Sequence, residues 1–153
     1  MRTEFGTFFA CVKLGNNIQT PFAMIQKDFL TKQLDVFANV LDRLFDLDKE
    51  EDLLPALHFV RQHVDKELFN KLSGSYAAVA YKDPTLTDEI EFLMYLKFTE
   101  VKIMEMADVS PFLLSEKSLQ LLEMMASFLN VNGKSYYMGI ENMRLTLVAK
   151  IKK

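Results

Sequence analysis

The stretch that decides the fold is TDEIEFLMYLKFTEVKIMEMADVSPFLLSEKSLQLLEMMASFL, residues 87–129. Apolar residues recur in it at three- and four-residue steps, which is the spacing of one face of an α-helix. Its first half has two such lines, so we expect a central helix packed between neighbours. Ser110 and Pro111 are a typical N-cap and first helical residue, so a second helix should fold back after this turn. The two lines are Ile90, Met94, Val101 and Met104, and Phe92, Leu96, Ile103 and Met106.

The same periodicity extends over the rest of the chain. It predicts a helix at about Phe22–Phe45, with Phe29, Leu30, Leu34, Phe37, Leu41, Leu44 and Phe45 on its apolar face. A second stripe runs from the N-cap Asp52 to the stop at Gly74, and a break near Asp65 stays open. Shorter or later helices are expected at Ser75–Lys82, from an N-cap at Thr85 or Thr87 to about Ala107, from Ser110 to Asn132 and from Ser135 to Ile151. The pattern thus predicts an all-α fold of about five or six helices, as antiparallel helical hairpins or a helical bundle.

Successive helical hairpins with short loops, most clearly over Thr87–Leu129, resemble the units of tetratricopeptide-like proteins. The segment departs from that repeat code because it lacks glycine and has only Ala107 and Ala126 as small packing residues. The layout also resembles small bacterial tetratricopeptide-like proteins of unknown function, through Met24–Leu34, Phe92–Leu129 and Lys134–Ile151. The resemblance implies a tetratricopeptide-like array and, at most, a binding role. It implies no catalytic residue.

Met24 is a second plausible start, because a continuous helical pattern begins directly after it. We therefore expect a single helical domain at residues 24–153, with residues 1–23 as an upstream leader. The alternative is an N-terminal arm packed through Phe5, Phe8 and Phe9. The apolar patch at residues 8–12 is too short and too closely flanked by charge for a secretory signal.

Composition restricts the partners. The 153 residues have a formal charge of −3, so they offer no excess of Lys and Arg for nucleic acid or anionic membrane. No apolar run is long enough to span a bilayer. The single cysteine, Cys11, favours a reducing compartment, and a cytoplasmic location is the default expectation.

The residues that could perform chemistry do not form a convincing site. His58 and His63 lie about 140° apart on a helix, and the better-spaced pair of His63 and Glu67 lacks further ligands. Cys11 has no histidine near it in sequence. We therefore expect no metal, no cofactor and no catalytic residues. Four carboxylates are interpreted as a solvated helix face rather than an acid–base pair: Glu89, Glu91, Glu100 and Glu105.

The methionines are the most suggestive side chains. Seven of the nine fall in the last three predicted helices, beside several aromatic residues. Methionine fills irregular cores, which is the first interpretation, but it also suits surfaces that accept varied apolar partners. The functional hypothesis is a non-enzymatic protein–protein interaction or self-association module with an apolar groove between helices; the alternative is a pocket for a small hydrophobic ligand, and an enzyme comes third. The candidate interaction surface is Tyr95, Phe98, Met106, Met124, Tyr136, Tyr137 and Met138.

Overall fold

A computed structural model describes the backbone of residues 21–151 and the side chains of residues 30–151. Within that range it contains seven helices and no strand, which confirms the all-α prediction; two of the helices are short. The predictions for residues 1–20 and for the Phe29 side chain lie outside the described residues. The helices are α1 Pro21–Leu44, α2 Glu50–Gln62, α3 Lys66–Ser73, α4 Ala77–Lys82, α5 Thr87–Met106, α6 Pro111–Asn132 and α7 Met138–Ile151.

Helix α5 is the central element, as its two apolar lines predict. It packs against α1, α2, α6 and α7. Every residue from Ile90 to Val101 is buried except Phe92, which is half-buried. Lys150, near the end of α7, forms an ion pair with Glu105, near the end of α5. The start of α7 lies against α6, where the Tyr137 ring meets that of Phe128 at 4.9 Å.

Several helix boundaries follow local chemistry that is visible in the sequence. The Asp65 side chain accepts a hydrogen bond from the Leu68 amide at 3.0 Å and begins α3, so the stripe from Asp52 to Gly74 is two helices. Gly74 follows α3 as predicted. Pro111 is at the first turn of α6, and Gly133 ends α6 with φ +90°, a conformation that favours glycine.

Other boundaries differ from the predictions. Helix α2 begins at Glu50, so Asp52 is not its N-cap. The Asp52 carboxylate instead accepts a hydrogen bond from the Asp46 amide at 2.8 Å, which fixes the turn before the helix. Pro55 therefore lies inside the helix, beyond the first turn in which an N-cap at Asp52 would have placed it. Helix α5 begins at Thr87 and Leu86 is its N-cap, so neither Thr85 nor Thr87 caps it as predicted. Thr85 instead donates its amide and hydroxyl to Asp83. Helix α7 begins at Met138, and Ser135 lies in the turn before it.

Candidate functional site: an aromatic groove beside an acidic cleft

Helix α1 has two apolar lines. Leu30, Leu34, Phe37 and Leu41 are buried against the rest of the fold. The second line is Val36, Val40 and Leu44, at steps of four residues on an adjacent face. Val36 is 62% exposed, Val40 is half-buried, and Leu44 is exposed. Among the described residues, therefore, little covers this second apolar side of α1.

A groove of about 420 Å³, open to solvent, lies beside this second line. We call it the aromatic groove. Its described lining comes from α1, α2 with the residue that follows it, and α5, so three segments separated in sequence build it. The lining residues are Lys32, Gln33, Val36, Phe37, Val40, Phe59, His63 and Phe92.

The groove is built around three phenylalanine rings, of which Phe37 contacts the other two. The Phe37 ring stacks on Phe59 at a centroid distance of 5.8 Å and meets the edge of Phe92 at 6.3 Å. Such offset and edge contacts are the preferred geometries of aromatic pairs. Because Phe37 is buried in the core, it anchors the two half-buried rings and holds the apolar surface in a defined shape.

His63 forms part of the groove wall. Its ring lies 4.5 Å from the Phe59 ring centroid and 5.4 Å from that of Phe37. Its Nδ1 atom is 2.9 Å from the Phe59 carbonyl oxygen, which identifies Nδ1 as the protonated donor. This bond and the ring contacts orient the imidazole along the groove.

A second cavity, of about 410 Å³, lies next to the first, since Gln33 and Phe92 line both. We call it the acidic cleft. Three carboxylates line it: Asp65 at the start of α3, and Asp88 and Glu89 in the first turn of α5. The site therefore has an apolar part and an acidic part side by side.

The structure divides the seven residues of the predicted interaction surface between core and surface. Tyr95, Phe98 and Met124 are buried, with 1%, 2% and 6% exposure, so they belong to the core and cannot face a partner here. Tyr137 is half-buried against Phe128. The exposed members are Met106, Tyr136 and Met138.

Those three exposed residues do not form one surface. Tyr136 and Met138 lie at the start of α7, whereas Met106 ends α5 next to Glu105, which contacts Lys150 near the other end of α7. The length of α7 separates the two places by about 20 Å at 1.5 Å per residue. The structure therefore does not bring the seven predicted residues together on one surface.

Sequence reasoning also missed the aromatic groove, although α1 contains a signal for it. Val36, Val40 and Leu44 repeat at four-residue steps, and only Leu44 was placed on the predicted apolar face. Two apolar lines on one helix indicate two neighbours, as they did correctly for α5. The histidine and phenylalanines that complete the groove come from segments whose approach the sequence does not show.

The expectation of a solvated carboxylate face on α5 was wrong for two of its four members. Glu89 and Glu105 are exposed, but Glu91 and Glu100 are buried. Glu100 is held by Lys97 Nζ at 2.9 Å and by Arg61 Nε at 3.2 Å. Lys97 also lies over the Phe69 ring, 4.5 Å from its centroid. Neutralisation by two cations is what allows the Glu100 carboxylate to be buried.

Among the described residues, no group of three or more His, Cys, Asp and Glu side chains is arranged to hold a metal ion. None of the described helices combines the length and apolar character needed to cross a bilayer. Comparison of the chain with protein families, curated proteins and solved structures finds no match. The geometry of the groove is therefore the main indication of function.

Proposed function

We propose that this protein is a non-enzymatic interaction module that binds an apolar helical segment of a partner protein in the aromatic groove. The observation that carries the proposal is an open groove in which the Phe59 and Phe92 rings pack on Phe37, beside an exposed line of aliphatic residues on α1. Exposed apolar surface of this kind is costly in water unless something covers it for part of the time.

The dimensions of the groove suit a short amphipathic helix. From Lys32 to Val40 along α1 is about 12 Å, or slightly more than two helical turns. A partner helix places apolar residues on one face at i, i+3 or i+4, and i+7, so it can present two or three anchors over that length. Val36 and Val40 would contact these anchors from α1, and Phe59 from α2.

The expected affinity is modest. Burying two or three aliphatic side chains contributes about 1.5–3 kcal/mol each before other terms. Lost rotational and translational freedom offsets much of that gain. We therefore expect a reversible complex rather than a permanent one.

The other parts of the proposal follow from composition and resemblance. A formal charge of −3 supports a protein partner over nucleic acid or an anionic membrane. The single cysteine supports a cytoplasmic location. The resemblance to tetratricopeptide-like proteins of bacteria supports a binding role within an array of helical hairpins.

The test is a titration of a fluorescein-labelled amphipathic peptide of about 16 residues, with leucines at helical spacing, into the full chain. Fluorescence polarisation reports binding. We expect Val36→Asn to weaken binding about fivefold or more, since asparagine keeps a similar helix propensity but presents a polar group. The matched control is Leu119→Asn, which replaces an exposed apolar residue of α6 outside the groove and should leave binding unchanged.

Absence of peptide binding at millimolar protein, or equal weakening by both variants, would refute the proposal. A second candidate function has support from the cavity volume, because about 420 Å³ lies in the range of small-molecule sites. Nile red serves as its probe. Nile red binding that Val36→Asn weakens, together with no peptide binding, would favour a small apolar ligand instead.

A further inference from the structure

The end of α6 contains a pair of residues with a reactivity of its own. Asparagine followed by glycine deamidates readily, because glycine has no side chain to hinder the reaction. The sequence contains one such pair, Asn132–Gly133. Asn132 is the last residue of α6, and Gly133 follows it with φ +90°. Asn132 is half-buried and Gly133 is exposed, so the pair lies at the border of the packed part of the molecule.

The Asn132 side chain joins the end of α6 to the end of α4. Its Nδ2 atom donates to the Tyr81 carbonyl oxygen at 3.1 Å and to the Phe128 carbonyl oxygen at 3.0 Å. Tyr81 lies in the last turn of α4, where carbonyl groups have no donor within the helix. Asn132 supplies that donor. The side-chain amide is therefore a structural contact between two helices as well as a reactive group.

Deamidation begins when the Gly133 amide nitrogen loses its proton to hydroxide and attacks the Asn132 Cγ atom. The new bond between nitrogen and carbon expels the side-chain nitrogen, which takes up a proton from water and leaves as ammonia, so hydroxide is regenerated. The product is a cyclic succinimide. Water then hydrolyses the ring at either carbonyl and gives an aspartate or an isoaspartate. Solvent is the only co-reactant, and nothing is oxidised or reduced.

The folded structure holds both reacting groups away from this reaction. The Gly133 N–H donates to the Leu129 carbonyl oxygen at 2.8 Å, so the proton that must leave is held in a hydrogen bond. The bond from Asn132 to Phe128 turns the side-chain amide back along α6, toward the preceding turn and away from the Gly133 nitrogen. The reaction therefore requires the end of α6 to open and to release α4.

We infer that Asn132 is a deamidation site controlled by local opening of the contact between α4 and α6. The closed contact protects the amide, and opening exposes it. The product carboxylate has no hydrogen to donate to the two carbonyl oxygens. It also places negative charge at the C-terminal end of α6, which is the negative end of the helix dipole. Each reaction therefore leaves α4 loosened, and the change is one-way because ammonia is lost to the solvent.

The first test compares the full chain with a synthetic peptide of residues 126–138 at mildly alkaline pH. Mass spectrometry of proteolytic fragments measures the conversion of Asn132 over time. The folded chain should react at least about tenfold more slowly than the peptide, because an opening of the helix end must precede each reaction. Equal rates in the chain and the peptide, or no reaction in either, would overturn the inference.

Two alanine-to-glycine variants decide whether the opening is local. Ala80→Gly weakens α4 next to Tyr81 and should accelerate deamidation about fivefold, since glycine is less favourable than alanine in a helix interior by about that factor. Ala38→Gly makes the same exchange in α1, which supplies neither acceptor of the Asn132 amide, and should leave the rate unchanged. Equal acceleration by both variants would show that unfolding of the whole molecule controls the reaction, and would overturn the inference.

If Ala80→Gly does not fold, the natural chain decides the point in urea. A deamidation rate that rises well below the unfolding transition supports local opening. A rate that rises only with the transition overturns it.

The consequence of the modification has its own test. Asn132→Asp reproduces the aspartate product, and its α4 amides should exchange with deuterium about fivefold or more faster, because α4 loses its bond to α6. The matched control is Asn130→Asp, which adds the same charge at an exposed position in the last turn of α6. It should leave exchange in α4 unchanged. Equal exchange in the two variants would overturn the claim that deamidation loosens α4.

Discussion

The centre of the molecule and its α1–α2 edge each contain a helix with two apolar lines, but the two regions differ in how far those lines are covered. In the centre, both apolar lines of α5 are covered, and Met94, Met104 and Phe128 are fully buried. At the edge, α1 also has two lines, but the second borders an open groove. An apolar line on a helix is therefore buried or exposed according to the number of helices that pack against it. Composition does not give that number.

The two regions also differ in the residue types that build them. Methionine is concentrated in the centre, where its flexible side chain fills gaps between α5, α6 and α7. The groove at the edge is built from phenylalanine and valine, which have fewer rotamers and hold a surface in a defined shape. A shape that is held before binding costs less entropy to bind, which is why the edge is the better candidate for recognition.

The largest expected effect is that of Phe128→Ala in the centre. Phe128 is fully buried, and its ring contacts Tyr81 at 6.3 Å and Tyr137 at 4.9 Å. Truncation leaves a cavity among well-packed helices, so we expect a loss of about 3–5 kcal/mol in the free energy of unfolding, measured in urea. Phe59→Ala, at a half-buried position of the edge, should reduce the free energy of unfolding clearly less. Equal losses would contradict the view that the edge is the more open region.

The next effect concerns the buried charge of the centre. Glu100→Gln removes the negative partner of Lys97, and the ammonium group stays buried beside a neutral amide. Removing one member of a buried pair is expected to cost about 3 kcal/mol in urea unfolding.

The matched change is Glu105→Gln, which removes a carboxylate that pairs with Lys150 on the surface. That pair is solvated, so its loss should cost about 0.5 kcal/mol or less. Equal stability of the two glutamine variants would contradict the prediction, because it would show that the buried Glu100 pair contributes no more than the surface pair.

Part of this structure could be predicted from the sequence, and part could not. The helices α5 and α6 and the turn between them were predictable because Pro111 and Gly133 mark helix ends and the apolar spacing is local. The burial of Glu100 was not, since Arg61 is 39 residues away in sequence. The groove was missed for the same reason: Phe37, Phe59 and Phe92 meet only after three helices have packed.

A smaller effect is expected at Tyr81, where the centre has a polar defect. Its hydroxyl is buried, and no hydrogen-bond partner for it is present among the described residues. Burial raises the pKa of Tyr81 to about 12, because the ionised form is disfavoured inside the protein. Tyr81→Phe should therefore raise the free energy of unfolding at neutral pH by about 1 kcal/mol.

Burial of Tyr81 also makes the stability of the protein depend on pH in the alkaline range. The folded state holds the Tyr81 proton more tightly than the unfolded state, in which the pKa is near 10. The free energy of unfolding is therefore unaffected by this group below pH 10 and decreases as the pH rises from 10 toward 12. The natural chain should lose stability over this window more steeply than Tyr81→Phe. Tyr137, whose pKa is raised by burial and then by Glu91 and Asp88, keeps part of the slope in the variant. Identical slopes in chemical denaturation would show that the Tyr81 hydroxyl is hydrated.

The smallest effect on stability is expected at the edge. Val36 is 62% exposed and lies on the face of α1 that borders the groove, so Val36→Asn removes little buried area. Asparagine and valine have similar helix propensities, and the change in the free energy of unfolding should stay within about 0.5 kcal/mol. The same substitution is expected to weaken peptide binding, so a large loss of stability would mean that Val36 supports the fold. A stable variant with weakened binding would instead show that this apolar line is maintained for a partner, since the fold itself does not require it.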